Sequence, residues 1–155
     1  PPPPPAPPAE PERRAIAEFL APEVAAGLVE VFSSGNALTV RLVGEGLFAP
    51  ASDRLAPEFE AVVDRVAAAL EDEPGQVIVA GHSDSQPIRT ARFPSNLALS
   101  LARARTVMTR IGAALSDPAR LTAEGRADAE PIAPNDTAAG RARNRRIEIL
   151  LVKAG

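Results

Sequence analysis

The 155-residue sequence lacks cysteine, tryptophan and tyrosine, and it contains one methionine and one histidine. Without cysteine the chain can form no disulfide, no thiol nucleophile and no zinc–thiolate site. With few aromatic residues to stack on bases and a formal charge of −3, it is a poor candidate for nucleic-acid binding. No apolar run approaches the ~18 residues of a membrane-spanning helix. These absences favour one domain of ordinary size with an aliphatic core.

Proline is abundant instead, and it is concentrated at the start of the chain. Residues 1–12, PPPPPAPPAEPE, contain eight prolines and predict extended polyproline II, a semi-rigid spacer of ~3.1 Å per residue. We interpret this tract as a proline-rich linker, in preference to a ligand for SH3-type domains. Because the sequence begins with Pro1 and not with methionine, we expect it to be part of a longer, membrane-anchored protein.

Helices and strands are predicted from the spacing of the apolar residues. Residues 13–30 fit a helix that Pro22 breaks in two. We therefore assign residues 13–36, up to the first predicted strand, to an N-terminal helical segment. The remaining elements follow in this order: strand 37–44, loop 44–55, helix 56–74, strand 76–82, helix 96–115, strand 120–128, loop 130–144 and strand 145–152. The order β-α-β-α-β-loop-β predicts an α/β sandwich, with helices packed on one sheet.

The predicted helix over residues 96–115 has an apolar face and, beside it, a polar one. The apolar positions recur every four or three residues, the period of a buried helix face; they are Leu97, Leu101, Ala104, Met108, Ile111 and Leu115. Asn96, Ser100 and Arg103 have the same spacing and share the adjacent face. An amide, a hydroxyl and a guanidinium should therefore meet at the rim of the core.

Asp84 adds a negative charge to this group. It comes just after the strand 76–82, at the carboxyl end where α/β sheets usually place ligand sites. One anion, one cation and neutral hydrogen-bonding groups suit a zwitterion with an ammonium and a carboxylate on the same carbon. Two structural alternatives remain open: Asp84 and Arg103 form only a salt bridge, and Asn96 is only a helix N-cap.

Catalytic chemistry finds little support in the sequence. His82 is the single histidine and has no second ligand at metal-binding spacing, so no metal site is predicted. Ser83 and Asp84 follow it directly, but sequence neighbours at a strand end point to opposite sides, and no G-x-S-x-G elbow exists. The acidic residues of the helix 56–74 indicate a solvent-exposed face of the helix and not a pair of glycosidase carboxylates. We expect no enzymatic activity and no cofactor.

Several motifs together resemble the OmpA-like peptidoglycan-binding domain over roughly residues 38–152. They are GHSD after a strand, N-LALSLARA on the next helix, a glycine-rich turn, PIAPN, and GRARNRRIEI before the last strand. The residues that fit are Gly81, Asp84, Asn96, Leu99, Ser100, Arg103, Ala104, Gly125, Asn135, Gly140, Asn144, Arg145 and Arg146. Phe48, followed by Leu55, is similar to the family's lead-in to its first long helix. The combination is far more specific than any single motif.

The resemblance implies a two-layer sandwich over residues 37–155, with helices on one face of a mixed β-sheet. It implies that Asp84 and Arg103 hold the diaminopimelate residue of the peptidoglycan stem peptide and that Asn96 supports them. Phe48 and backbone amides near Ser83 are expected to line the pocket.

Two further expectations concern the surroundings of this site. Arg145 or Arg146 is expected to lie near it and to pair with an acidic group. The loop over residues 85–95 is about four residues longer than the common family pattern, and it either adds a ligand contact or folds over the pocket.

Two stretches, FLAPEVAAGLVEV and GHSDSQPIRTARFPSN, resemble one branch of the family, the outer domain of long-form TssL proteins of type VI secretion membrane complexes. This implies a periplasmic domain of an inner-membrane protein, with peptidoglycan and other subunits of the complex as partners. The implied function is non-catalytic anchoring of the complex to the cell wall. The alternative is a structural domain that contacts other subunits without binding peptidoglycan.

Overall fold

A computed structural model describes residues 10–34, 37–43 and 46–152. Within these ranges the chain forms, in order, α1 (Glu10–Phe19), α2 (Ala21–Ala25), β1 (Val29–Ser34), β2 (Ala37–Leu42), α3 (Pro57–Glu71), β3 (Gln76–His82), α4 (Asn96–Ala114), a 3₁₀ turn (Pro118–Arg120), β4 (Leu121–Ala127), α5 (Ala138–Asn144) and β5 (Arg146–Val152). None of the helices in this part of the chain is long and apolar enough to cross a membrane.

The strands form one mixed sheet in the order β1-β2-β5-β3-β4. β3 and β4 are parallel, whereas the other neighbouring strands are antiparallel. Alternate residues of the central strands pack with α3 and α4 into one core, which includes Leu38, Val40, Leu42, Val77, Val79, Ile147, Ile149, Leu151, Val63, Val66, Val107 and Ile111. The predicted α/β sandwich, with helices on one face of a mixed sheet, is confirmed.

The N-terminal segment differs from its prediction. The sequence predicts a helical segment over residues 13–36, but β1 occupies Val29–Ser34 and pairs antiparallel with β2. Gly27, with a φ of +75°, follows the last helical turn, and Val29 is buried. The apolar and polar residues of β1 alternate over only a few positions, and they form a strand because β2 is available as a pairing partner. This pairing overrides the helical spacing of the apolar residues in this stretch.

The proline-rich tract also ends earlier than predicted. Because α1 begins at Glu10, residues 10–12 are helical and not extended. Pro11 is tolerated there because the N–H groups of a first helical turn have no partner within the helix. The rest of the tract, residues 1–9, lies outside the described residues.

Two glycines let the backbone of α4 pack very closely against the sheet. A Cβ at Gly81 would lie 2.0 Å from the carbonyl oxygen of Ser100, and one at Gly125 would lie 2.8 Å from that of Leu97. The helix backbone therefore contacts β3 and β4 directly. The prediction that Leu97 is buried is wrong, since it is 56% exposed. The same approach brings Arg103 beside the end of β3.

A short helix, α5, occupies part of the predicted loop 130–144. The hydroxyl of Thr137 caps it by accepting a hydrogen bond from the N–H of Gly140 at 3.0 Å, which is a typical helix N-cap interaction. The helix ends at Asn144, directly before β5, and thereby fixes the start of the last strand next to the end of β3.

Candidate functional site

A groove of about 1030 Å³ lies at the carboxyl end of β3, the expected place for a ligand site in an α/β sheet. Four parts of the chain line it: the segment 46–57, residues 81–88, the first half of α4 and the junction of α5 with β5. The residues predicted for the site all line this groove; they are Phe48, Ser83, Asp84, Asn96 and Arg103. The fold therefore brings together the residues that the motifs single out.

Asp84 supplies a buried carboxylate, whose side chain is 8% exposed. Its Oδ2 accepts a hydrogen bond from Arg145 Nη1 at 2.5 Å, and its Oδ1 accepts one from the backbone N–H of Gln86 at 2.9 Å. An ionised carboxylate has about four lone-pair positions, so Asp84 retains the capacity to accept from a ligand. Arg145 is 44% exposed, so this ion pair reaches from the groove to solvent.

Asn144 fixes the position of Arg145. Its side chain is fully buried, and its Oδ1 accepts from the N–H groups of Ile132 and Ala133 at 2.7 and 3.0 Å. Its Nδ2 donates to the Ala133 carbonyl at 2.9 Å and to Asn135 Oδ1 at 2.8 Å. The asparagine of the NRR motif thus ties the preceding loop to the end of α5, from which Arg145 extends to Asp84.

Arg103 supplies a buried cation, and backbone carbonyls hold it. Its Nε donates to the Ser52 carbonyl at 2.7 Å and its Nη2 donates to the Ala49 carbonyl at 3.0 Å. The guanidinium lies over the ring of Phe48, 4.9 Å from the centroid, a distance typical of a cation–π contact. These contacts fix the plane of the guanidinium in the groove.

The residues around the groove balance the charge of Arg103 poorly. Burial, which is the largest cause, and the positive charge of Arg145 together lower the pKa of Arg103 to about 10, while Asp53 and Asp84 oppose the shift more weakly. Within the described ranges, no carboxylate forms an ion pair with Arg103. The guanidinium remains charged at neutral pH, and a ligand carboxylate would complete its environment.

The salt bridge between Asp84 and Arg103, the structural alternative drawn from the sequence, is not the arrangement found. Arg145 pairs with Asp84 instead, as expected of one of the two NRR arginines, and the carbonyls of Ala49 and Ser52 hold Arg103. Sequence reasoning missed these carbonyl acceptors because every residue carries one, so no residue type marks them.

Asn96 supports the loop beside the groove and does not cap α4. Its Nδ2 donates to the Gln86 carbonyl at 2.8 Å. The N-cap is Ser95, whose hydroxyl accepts from the N–H of Ala98 at 3.1 Å. The hydrogen bond to Gln86 gives Asn96 an indirect effect on Asp84, because the N–H of Gln86 donates to that carboxylate.

The polar groups of Ser83 and Ser100 are engaged within the protein. The Ser83 N–H donates to the Ala127 carbonyl at 2.8 Å, and its hydroxyl donates to the Asp84 carbonyl at 2.9 Å. The Ser100 hydroxyl donates to the Leu97 carbonyl at 3.1 Å and accepts from the Ala127 N–H at 3.2 Å. The Ser83 amide, which the resemblance implies as part of the pocket lining, thus has a partner in the protein.

The long loop over residues 85–95 forms one wall of the groove. Residues 86–88 line it, and Phe93 is buried and anchors the loop. Arg92 Nη2 donates to Asp53 Oδ2 at 3.0 Å, which joins the loop to the segment 46–57. The loop borders the groove and does not fill it.

His82 is a buried residue of the groove lining and has an unusual environment. Its side chain is 1% exposed, and neither ring nitrogen has a hydrogen-bond partner among the described residues. Burial and the charge of Arg146 lower its pKa to about 4, although Glu148 and Glu130 act in the opposite direction. Within the described residues no group of three or more potential ligands could hold a metal ion.

Comparison with known proteins identifies the family. Residues 47–145, which include the predicted site residues, match the OmpA family. The chain belongs to the OmpA family. The cell wall anchor of the type VI secretion system from Pseudomonas aeruginosa is 46% identical to it with a TM-score of 0.84, and the match covers 92% of this chain and 99% of that chain. The predicted family and the resemblance to a type VI secretion anchor are confirmed.

Other relatives share the domain within different proteins. A MotB-like protein from Desulfovibrio vulgaris is 27% identical with a TM-score of 0.83, over 94% of this chain and 96% of that chain. Outer membrane protein A of Bordetella avium is 40% identical over 99 residues, 63% of this chain and 49% of the relative. Motility protein B of Bacillus subtilis is 37% identical over 86 residues, 53% of this chain and 32% of the relative. The chain thus spans a third to a half of the length of these two curated relatives.

Proposed function

We propose that this domain binds peptidoglycan without cleaving it, through the diaminopimelate residue of the stem peptide, and so anchors a type VI secretion membrane complex to the cell wall. One observation carries the proposal: the buried charges of Asp84 and Arg103 line the same groove, and Arg103 has no carboxylate partner among the described residues.

Diaminopimelate presents an ammonium and a carboxylate on one carbon, and these complement the two charges. Asp84 accepts from the ammonium. Arg103 donates to the carboxylate through Nη1, which no described residue engages, while Nε and Nη2 keep their carbonyl partners. Charge-assisted hydrogen bonds of this kind are short and strong. Asn96 and Phe48 support the site by holding the loop wall and the guanidinium.

The groove is proposed as a binding site only. The Ser83 hydroxyl bonds to the Asp84 carbonyl, and the nitrogens of His82 have no hydrogen-bond partner among the described residues, so these residues do not form an activated nucleophile–base pair. We expect that the pure domain releases no soluble muropeptides from sacculi, with or without divalent metal. Release that one point substitution abolishes would overturn this part of the proposal.

The proposal places the domain in the periplasm, as part of an inner-membrane protein, with other subunits of the secretion complex beside it. Its support is the 46% identity to a cell wall anchor and the similarity of the fold to the periplasmic domain of Helicobacter pylori MotB. A fusion of the full-length protein to alkaline phosphatase, an enzyme that is active only after export, should be active.

The test is calorimetric titration with a soluble muropeptide that contains diaminopimelate, compared with one that contains lysine at the same position. Lysine keeps the ammonium but lacks the carboxylate that Arg103 should bind. Asp84→Asn and Arg103→Lys should each weaken binding at least tenfold, because breaking a desolvated charged hydrogen bond costs about 2–5 kcal/mol. Asp72→Asn and Arg105→Lys are matched controls outside the groove and should bind normally.

The alternative function is contact with other subunits without peptidoglycan binding. If the wild type shows no saturable binding but a variant with a shortened 85–95 loop binds, the loop masks the site. If neither binds, wall anchoring is wrong for this domain and the subunit-contact function takes its place. Capture of the wild type on purified sacculi, lost in Asp84→Asn, would favour anchoring.

A further inference from the structure

The groove carries more positive charge than a zwitterionic ligand can match. Its charged lining consists of one aspartate, Asp84, and four arginines, Arg54, Arg103, Arg145 and Arg146. Arg146 Nε is paired with Glu148 at 2.8 Å beneath the groove. Three guanidinium groups therefore line the groove with one carboxylate, and Asp53, whose charge also acts on Arg103, is paired with Arg92. A ligand residue with one ammonium and one carboxylate adds no net charge to correct this.

Arg54 is the least engaged of these cations. Its side chain makes no hydrogen bond or ion pair to any residue in the described ranges, and it is exposed at the groove. Its backbone N–H donates to the Ser52 hydroxyl at 3.0 Å, in the same turn whose Ser52 carbonyl accepts from Arg103. The turn that holds Arg103 thus also presents Arg54 to the groove.

Arg145 is only partly engaged. One of its nitrogens, Nη1, donates to Asp84, and no described residue accepts from its other guanidinium nitrogens. Its positive charge also depresses the pKa of Arg103, so the cations in the groove repel one another. An additional anion in the groove would relieve this repulsion.

We propose that Arg54 and Arg145 form a second anion subsite that binds a further carboxylate of the peptide, and that this subsite makes the domain selective for stem peptides with free carboxylates over amidated ones. The inference rests on the proposed function and refines it. The first carboxylate lies at Arg103, beside the ammonium that Asp84 binds. The second belongs to a neighbouring residue of the peptide, either the free carboxylate of the γ-linked glutamate or the carboxyl terminus.

The test uses three synthetic stem peptides that all contain diaminopimelate. The parent has both additional carboxylates free, the second is amidated at the glutamate, and the third is amidated at the carboxyl terminus. We expect the wild type to bind one amidated peptide about three- to tenfold more weakly than the parent, as loss of one charge-assisted hydrogen bond at a partly exposed site predicts. The identity of that peptide assigns the second carboxylate.

Arg54→Gln tests the subsite without disturbing the core, because Arg54 is exposed. It should weaken binding of the parent to the level of the amidated peptide and leave binding of that amidated peptide unchanged. Arg145→Gln should also lose the preference, although it removes a competitor for Asp84. Arg105→Gln, an exposed arginine of α4 outside the groove, should keep the preference in full.

The outcomes separate this inference from the function on which it rests. If the wild type binds the three peptides equally, or if Arg54→Gln retains the preference, the second subsite is refuted while diaminopimelate binding stands. If the wild type binds none of them, both proposals fail together.

Discussion

Removing the side chain of Asn144 should destabilise the protein more than its small size indicates. The side chain is fully buried and makes four hydrogen bonds, to the backbone of Ile132 and Ala133 and to the side chain of Asn135. A buried hydrogen bond contributes about 1 kcal/mol net, so Asn144→Ala should lower the free energy of unfolding by about 4 kcal/mol. That is a large share of the ~5–15 kcal/mol that stabilises a typical domain.

Urea denaturation followed by far-UV circular dichroism measures this loss. Thr137→Ala is the matched control, because it removes one hydrogen bond, from the N–H of Gly140, in the same part of the chain, and it should cost only about 1 kcal/mol. If Asn144→Ala loses less than about 1 kcal/mol, water replaces the lost partners and the amide does not organise this loop. The reasoning that links Asn144 to the position of Arg145 would then be refuted.

Two further predictions concern packing and pH. Gly81→Ala should destabilise the protein by about 3 kcal/mol or more, because a Cβ there would lie 2.0 Å from the Ser100 carbonyl oxygen. The control is Gly112→Ala, whose Cβ would lie 3.3 Å from a flexible leucine side chain and which should change stability by less than about 1 kcal/mol. Equal effects of the two substitutions in urea denaturation would contradict the close approach of α4 to the sheet. The pKa of His82 is lowered to about 4 in the folded protein, below the ordinary ~6.5. The unfolded chain therefore binds this proton more readily, and the free energy of unfolding should fall by up to about 3 kcal/mol as the pH falls from ~6.5 to ~4. His82→Gln should lose less stability than the wild type over that pH range, and an equal loss in both proteins would refute this account.

The sequence predicts best those elements whose apolar spacing is regular and long. β3 has the predicted bounds over Gln76–His82, and α3, α4 and β5 follow their predicted ranges closely. β1 was not predicted because six residues with brief alternation become a strand only beside β2. α5 was not predicted because a helix of seven residues is not stable alone and depends on the tertiary contacts of Asn144.

The sequence identifies which residues form the candidate site but not which groups they contact. Asp84 and Arg103 could be placed in one groove because a strand end and a helix face fix where each residue lies. The groups that hold Arg103 are carbonyls of a turn at Ala49 and Ser52, and turn conformation depends on the whole surrounding structure. Arg54 belongs to none of the motifs, and only the conformation of the turn brings it to the groove.

The place of β5 in the sheet has a consequence for how the chain can be made. Among the described strands β5 comes last in sequence, yet it lies in the middle of the sheet and joins β2 to β3. Until β5 has emerged from the ribosome or from an export channel, β1–β2 and β3–β4 remain two separate pairs with open edges. The complete sheet can therefore form only after β5 has been made, and the long sequence separation of its pairing with β2 should make folding slow. A product that stops short of β5 would expose those edges to other chains, so quality control would need to remove it.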